Sequence, residues 1–341
     1  MKIAMLSPIA WRTPPRHYGP WEQVTSWLTE GLVKQGVEVT LYATADSLTT
    51  ARLRAVVPRP YAEDPALDPK VWESLHLAAL FEEAGDYDLI HNHYDFLPLT
   101  YSGLVSTPVV TTIHGFSSPK ILPVYKKYNR RVSYVSISNA DRHPDLDYCA
   151  TVYHGIPLGK YAFSGKPGKY LLFFGRIHRD KGLYEAIKLA RQAGLPLVIA
   201  GIIQDQDYFD RLVAPSLDGD RVKYIGPVGP AEKGALLGGA LALMHLINFN
   251  EPFGISVVEA MACGTPVIAV KRGSMAELIR HGETGFLVER AEEALEYLAS
   301  ARDLSRRRCR EWVEANFTVE VMVRRYLEVY TRIGESRDGG V

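Results

Sequence analysis

Short apolar runs alternate along the chain with stretches in which apolar residues recur every three or four positions. Lys2–Leu6, ended by Ser7-Pro8, has the makeup of a buried parallel strand. A loop rich in proline, arginine and aromatics runs to Tyr18-Gly19-Pro20, and Pro20 suits the first position of a helix, where its missing N–H costs nothing. Trp21, Val24, Leu28 and Leu32 then follow at helical spacing, and Gly36 supplies the stop. Alternating Val37, Val39 and Leu41 predict the next strand. Further strands are expected over Leu89–His93, Val109–His114, Val132–Ser138 and Ala150–Tyr153. Strands separated by helical segments imply a parallel, doubly wound sheet.

The pattern then restarts. Gly155–Gly159 and Ser164–Gly168 form a Gly/Pro-rich connector without apolar periodicity. Tyr170–Phe174 opens a second series, with strands expected at Leu197–Ile203, Val222–Ile225, Leu241–Leu246, Val267–Val270 and Phe286–Val288. Helical patterns lie between them, clearest at Leu183–Gln192 and Gly254–Ala262. Leu304–Arg332 is helical and basic, with a break around Asn316-Phe317-Thr318. The α/β reading is therefore two Rossmann-like parallel-sheet domains facing a central cleft, over residues 1–158 and 159–315. Residues 316–341 are expected to form a helix crossing back to the first domain. Ligands of such sheets bind beyond the carboxyl ends of the strands.

Composition narrows the class without giving chemistry. The 341 residues carry 39 Lys+Arg against 39 Asp+Glu, a balance that does not favour nucleic acid as a partner. Cys149, Cys263 and Cys309 are scattered with no C-x-x-C, which points to a reducing compartment and away from a metal cage. The apolar run at Met1–Pro8 is too short for a signal peptide, and no stretch approaches the ~20 apolar residues of a membrane span. The expectation is a cytoplasmic protein.

Chemistry-bearing residues fall on loops after strands. The string Glu251-Pro-Phe-Gly-Ile-Ser-Val-Val-Glu259, continuing to Gly264-Thr265-Pro266, places one carboxylate before a helix opened by Gly254 and another in its second turn. Free N–H groups at the helix start, with two carboxylates beside them, suit a hydroxyl-rich ligand. After Tyr170–Phe174, the loop Gly175–Gly182 holds Arg176 and Lys181, two cations that can sit over one polyanion. Gly19 precedes a helix whose N-terminus favours an anion. His91 and His93 are expected on opposite faces of a strand, so a metal pair is not proposed, and Asp86 and Asp88 read as exposed turn residues. Lys120, Lys126, Lys127, Arg130 and Arg131 form a basic group. It reads first as a solvated helix face, and alternatively as a weak contact for an anionic acceptor or a membrane surface.

Taken in order, Gly19, His114-Gly115, Arg176, Lys181, Glu251 and Glu259 resemble the retaining glycosyltransferases of family 4, which have the GT-B fold. The resemblance runs from the first strand to about Gly285–Val288. It implies transfer of a hexosyl unit from a nucleotide diphosphate sugar, of the GDP-mannose or UDP-glucose type, to a hydroxyl of a sugar or small-molecule glycoside. Anomeric configuration would be preserved, with no metal and no cofactor. By matching positions, Arg176 and Lys181 meet the diphosphate, Glu259 the ribose, and Glu251 the donor sugar, helped by the backbone of Phe253, Gly254 and Ile255. His114 meets the sugar and phosphate, and Gly19 and Val228 lie against the donor. Family members commonly have two glycines where this chain has Gly19-Pro20, and the proline removes one amide donor. Two other activities use the same ligand class: a GT-B sugar-nucleotide 2-epimerase, and a non-catalytic nucleotide-sugar-binding protein. A phosphorylase would need a longer chain and a cofactor lysine.

Overall fold

A computed structural model describes residues 1–116 and 118–338. The chain divides into two compact units, Met1–Gly155 joined by the segment from Val319, and Ile156–Thr318. At the ends of the second unit Ile156 bridges Thr318, and its N–H donates to the Phe317 carbonyl at 2.9 Å.

In the first unit β1 (Lys2–Leu6), β2 (Glu38–Tyr42), β3 (Arg52–Arg54), β4 (Leu89–Asn92), β5 (Val109–Ile113), β6 (Ser133–Ser136) and β7 (Tyr148–Thr151) form one sheet. Their spatial order is β3-β2-β1-β4-β5-β6-β7 and every pairing is parallel. The central strands are buried on both faces, which explains the apolar run of β1, while buried Thr111 and Thr112 of β5 pair with Asn92 and His91 of β4. The edge strands differ from expectation. Arg-Leu-Arg at β3 offers no apolar run, and β7 begins at Tyr148, ahead of Ala150, beside a register shift at Tyr134/Val135. A helix over Pro69–Glu82, N-capped by Asp68, also went unread. Helix Pro20–Lys34 turns Val24, Leu28 and Leu32 inward. Gly31 lets helix Val319–Asp338 lie against it, since a Cβ there would stand 2.5 Å from a Val323 methyl.

The second unit repeats the scheme with β8 (Tyr170–Phe174), β9 (Leu197–Ala200), β10 (Val222–Tyr224), β11 (Ala240–His245), β12 (Val267–Val270) and β13 (Gly285–Val288). The order is β10-β9-β8-β11-β12-β13, again all parallel. Helices Leu183–Ala193, Pro230–Gly238, Ile255–Ala262 and Arg306–Asn316 accompany it. Arg306 is buried, and its guanidinium donates to the carbonyls of Ser164, Gly238 and Ala240 and to the Thr265 hydroxyl. A buried cation is tolerable only when its donors are filled in this way.

Each sheet reverses its strand order once, between β1 and β4 in the first unit and between β8 and β11 in the second. Loops diverge at such a point and leave a crevice at the carboxyl ends of the strands.

Candidate active site

In the second unit the residues singled out by sequence gather at that crevice. Lys181 leaves the loop after β8 and Glu251 the loop after β11, and Lys181 Nζ donates to Glu251 Oε2 at 2.6 Å. Their side chains are only 15% and 14% exposed. The Phe249 ring centroid lies 4.5 Å from the ammonium, and His245 Nε2 stands 3.6 Å from the same carboxylate oxygen. Burial works against ionisation of Glu251, but His245 and Lys181 overcome it and hold the carboxyl at about 2. Arg176 is a quarter exposed; it pairs with Asp180 at 2.9 Å and donates to the Gln204 side chain. The spacing therefore does bring the two cations to one loop, but each already holds a carboxylate.

Gly254, at φ 97°, caps helix Ile255–Ala262 and so places Glu259 in the second turn. Glu259 is 3% exposed, and its Oε1 accepts from Tyr161 Oη at 2.5 Å and Lys233 Nζ at 2.9 Å. Lys233 comes from helix Pro230–Gly238, directly after the loop that carries half-buried Val228. Neither partner was foreseen. Two further residues that sequence reasoning missed fix the Glu251 loop. Ser274 N–H donates to the Glu251 carbonyl at 3.0 Å, and its hydroxyl donates to the Phe253 carbonyl at 2.5 Å. Gly273, at φ 56°, is needed beside it: a Cβ there would come within 2.3 Å of the Glu251 carbonyl oxygen. A Gly-Ser pair three residues after the β12 strand was the available signal.

In the first unit Gly19, at φ 145°, caps helix Pro20–Lys34 without a side-chain hydrogen bond. Beside it Glu22 is 3% exposed; burial raises its carboxyl to about 7, with backbone N–H groups of Glu22 and Trp11 pulling the other way. His114 sits at the end of β5 with Trp21 stacked on it at 5.5 Å. Both its ring nitrogens are occupied, by His93 at 2.8 Å and by His154 at 3.3 Å. His91 continues the series, bonded to the Tyr330 and Thr112 hydroxyls. The rings of His91 and His93 lie 4.1 Å apart on one side, which corrects the expectation of opposite faces, because residues two apart in a strand share a face. Burial depresses all four histidines and keeps them neutral. Among the described residues no group of three His, Cys, Asp or Glu side chains is arranged to hold a metal ion.

Several of the remaining charges have local partners. Asp88 accepts from the Lys2 backbone N–H at 2.7 Å. Lys126 pairs with Asp145, and Arg131 donates to the carbonyls of Ser102 and Val105. Nothing in this basic group supports membrane contact, and no described helix is long and apolar enough to cross a membrane.

Two family models match the chain. Residues 162–316 fit the glycosyl transferases group 1 and residues 22–143 fit glycosyltransferase family 4. The chain is a family 4 glycosyltransferase. This glycosyltransferase is 29% identical over 321 residues to D-inositol 3-phosphate glycosyltransferase of Pseudarthrobacter chlorophenolicus, covering 77% of this chain and 76% of that one. Sucrose-phosphate synthase from Thermosynechococcus elongatus superposes with a TM-score of 0.79 at 21% identity, over 98% of this chain and 100% of its own. Anabaena HepE, solved in complex with UDP, gives 0.75 at 19% identity, over 97% and 100%. The glycosyltransferase thus has the GT-B fold and is a hexosyltransferase.

Proposed function

We propose that this enzyme moves a hexosyl unit from a nucleotide diphosphate sugar, of the UDP-glucose or GDP-mannose type, to an acceptor hydroxyl with retention and without a metal. The observation that carries the reading is the crevice between β8 and β11, where Lys181, Arg176, Glu251 and the capped start of helix Ile255–Ala262 meet. The UDP held by the HepE neighbour supports a nucleotide donor.

The diphosphate would exchange partners with the loop. Its oxygens replace Asp180 on Arg176 and Glu251 on Lys181, so the cations move from carboxylates to the leaving group. Glu251, released, accepts from hydroxyls of the sugar, and the N–H groups at the helix start add further donors. Glu259 accepts from the ribose hydroxyls. Val228 lies along the donor. As the sugar–phosphate bond breaks, charge grows on the diphosphate, and Arg176 and Lys181 stabilise it where a metal would otherwise do so. The acceptor oxygen attacks from the face the diphosphate leaves, and a phosphate oxygen takes its proton. The epimerase and the non-catalytic binder find no separate support.

Incubating the protein with UDP-glucose and with GDP-mannose, EDTA and a panel of sugar and cyclitol acceptors tests this. An α-linked product by NMR is expected. A β-linked product, or activity lost with EDTA and restored by Mn²⁺, overturns it.

A further inference from the structure

The first unit has its own cavity, of about 510 Å³, at the crevice between β1 and β4. Six aromatic side chains line it, among them Trp11, Trp21 and Tyr94. Three acids line it too, Glu22, Glu73 and Asp95, and no lysine or arginine is among the lining residues. Glu22 is 97% removed from solvent, and the buried Tyr94 hydroxyl lies beside the Glu73 carboxylate.

Aromatic faces stack on the apolar faces of sugar and cyclitol rings or on a cation, and carboxylates accept from hydroxyl and ammonium groups. A cavity that combines them with no cationic side chain among its lining residues favours such rings, and its carboxylates outweigh the helix start at Gly19 in opposing an anion. We propose that this cavity seats the acceptor, and that the group it takes is a hydroxyl-rich ring without an anionic substituent, an amine being accepted and a phosphate refused. The inference rests on the acceptor-hydroxyl transfer proposed above.

Trp11 and Trp21 provide the readout. Tryptophan fluorescence is followed as the full chain is titrated with glucose, glucosamine and glucose 6-phosphate, and with myo-inositol, an aminodeoxyinositol and inositol 3-phosphate. Saturable quenching is expected with the neutral and amino forms of at least one ring, and binding at least about tenfold weaker with its phosphate, since juxtaposed like charges are strongly disfavoured. Glu73→Gln with Asp95→Asn should narrow that gap, while UDP and GDP affinity, measured by calorimetry, stays as in the parent. Equal or tighter binding of a phosphorylated ring overturns the inference, and so does the absence of binding by every neutral and amino ring. Loss of nucleotide binding by the parent would instead overturn the donor assignment, so the two failures are separable.

Discussion

Lys181 and Glu251 lie 70 residues apart in sequence, yet they form a 2.6 Å ion pair that is mostly removed from water. Removing one partner of such a pair leaves a buried charge alone, which costs roughly 3–5 kcal/mol, whereas removing both costs less. Lys181→Met should therefore lower the thermal midpoint more than the double variant Lys181→Met/Glu251→Gln. Equal losses, read by calorimetry, would place the stabilisation elsewhere.

The same pair has a pH signature. Glu251 titrates at about 2 in the fold against its usual 4.5, so its contribution is complete above about 4.5 and is lost as pH falls towards 2. Acid unfolding of Glu251→Gln should show a shallower dependence through that window than the parent.

The two glutamates should divide the donor. Glu259→Gln is expected to weaken UDP or GDP itself, by roughly 1.5–3 kcal/mol for a charge-assisted contact. Glu251→Gln should spare the bare nucleotide and depress kcat, as for an interaction made mainly with the sugar. Arg176→Ala and Lys181→Ala should both weaken the nucleotide. Calorimetry with UDP and GDP beside turnover measurements checks all four, and unchanged affinity in both cation variants would detach the Gly175–Gly182 loop from the diphosphate.

Glu22 runs the opposite way to Glu251. Its carboxyl is raised from the usual 4.5 to about 7, so the fold binds its proton more tightly than the unfolded chain does. Stability should fall as pH rises from about 4.5 to 7 and then level off. Glu22→Gln removes that slope and should be the more stable protein at pH 8, by on the order of 2–3 kcal/mol. Denaturant midpoints at pH 5 and pH 8 decide it.

Gly273→Ala probes the seat of Glu251. At φ 56° with the Glu251 carbonyl in the way, alanine forces the loop to shift and costs roughly 1–3 kcal/mol. Turnover should fall more than nucleotide affinity. A wild-type kcat in this variant would show that Glu251 does not need its loop held.

What the sequence displayed follows its physics. A buried parallel strand such as β1 announces itself because both faces are apolar. Gly254 and its helix were readable for a similar local reason, as a cap next to the residues it serves. Edge strand β3, with its Arg-Leu-Arg, has no such periodicity. The partners of Glu259 come from positions 98 and 26 residues away, and no local pattern ties Tyr161 or Lys233 to a carboxylate. The histidines were visible but their stacking was not, since it depends on β4 and β5 lying side by side.

Helix Val319–Asp338 belongs to the first unit although the whole of the second unit precedes it in the chain. During synthesis the ribosome therefore releases Ile156–Thr318 before the first sheet can receive the side chains that complete it. Until then Gly31 faces no Val323, and His91 and Thr112 wait without the hydroxyls of Tyr330 and Tyr326. The second unit is free to mature first, and the first is finished only by a late, long-range closure. A nascent chain interrupted at Thr318 would hold one whole Rossmann-like unit and one with a bare flank, a natural target for chaperones and proteases.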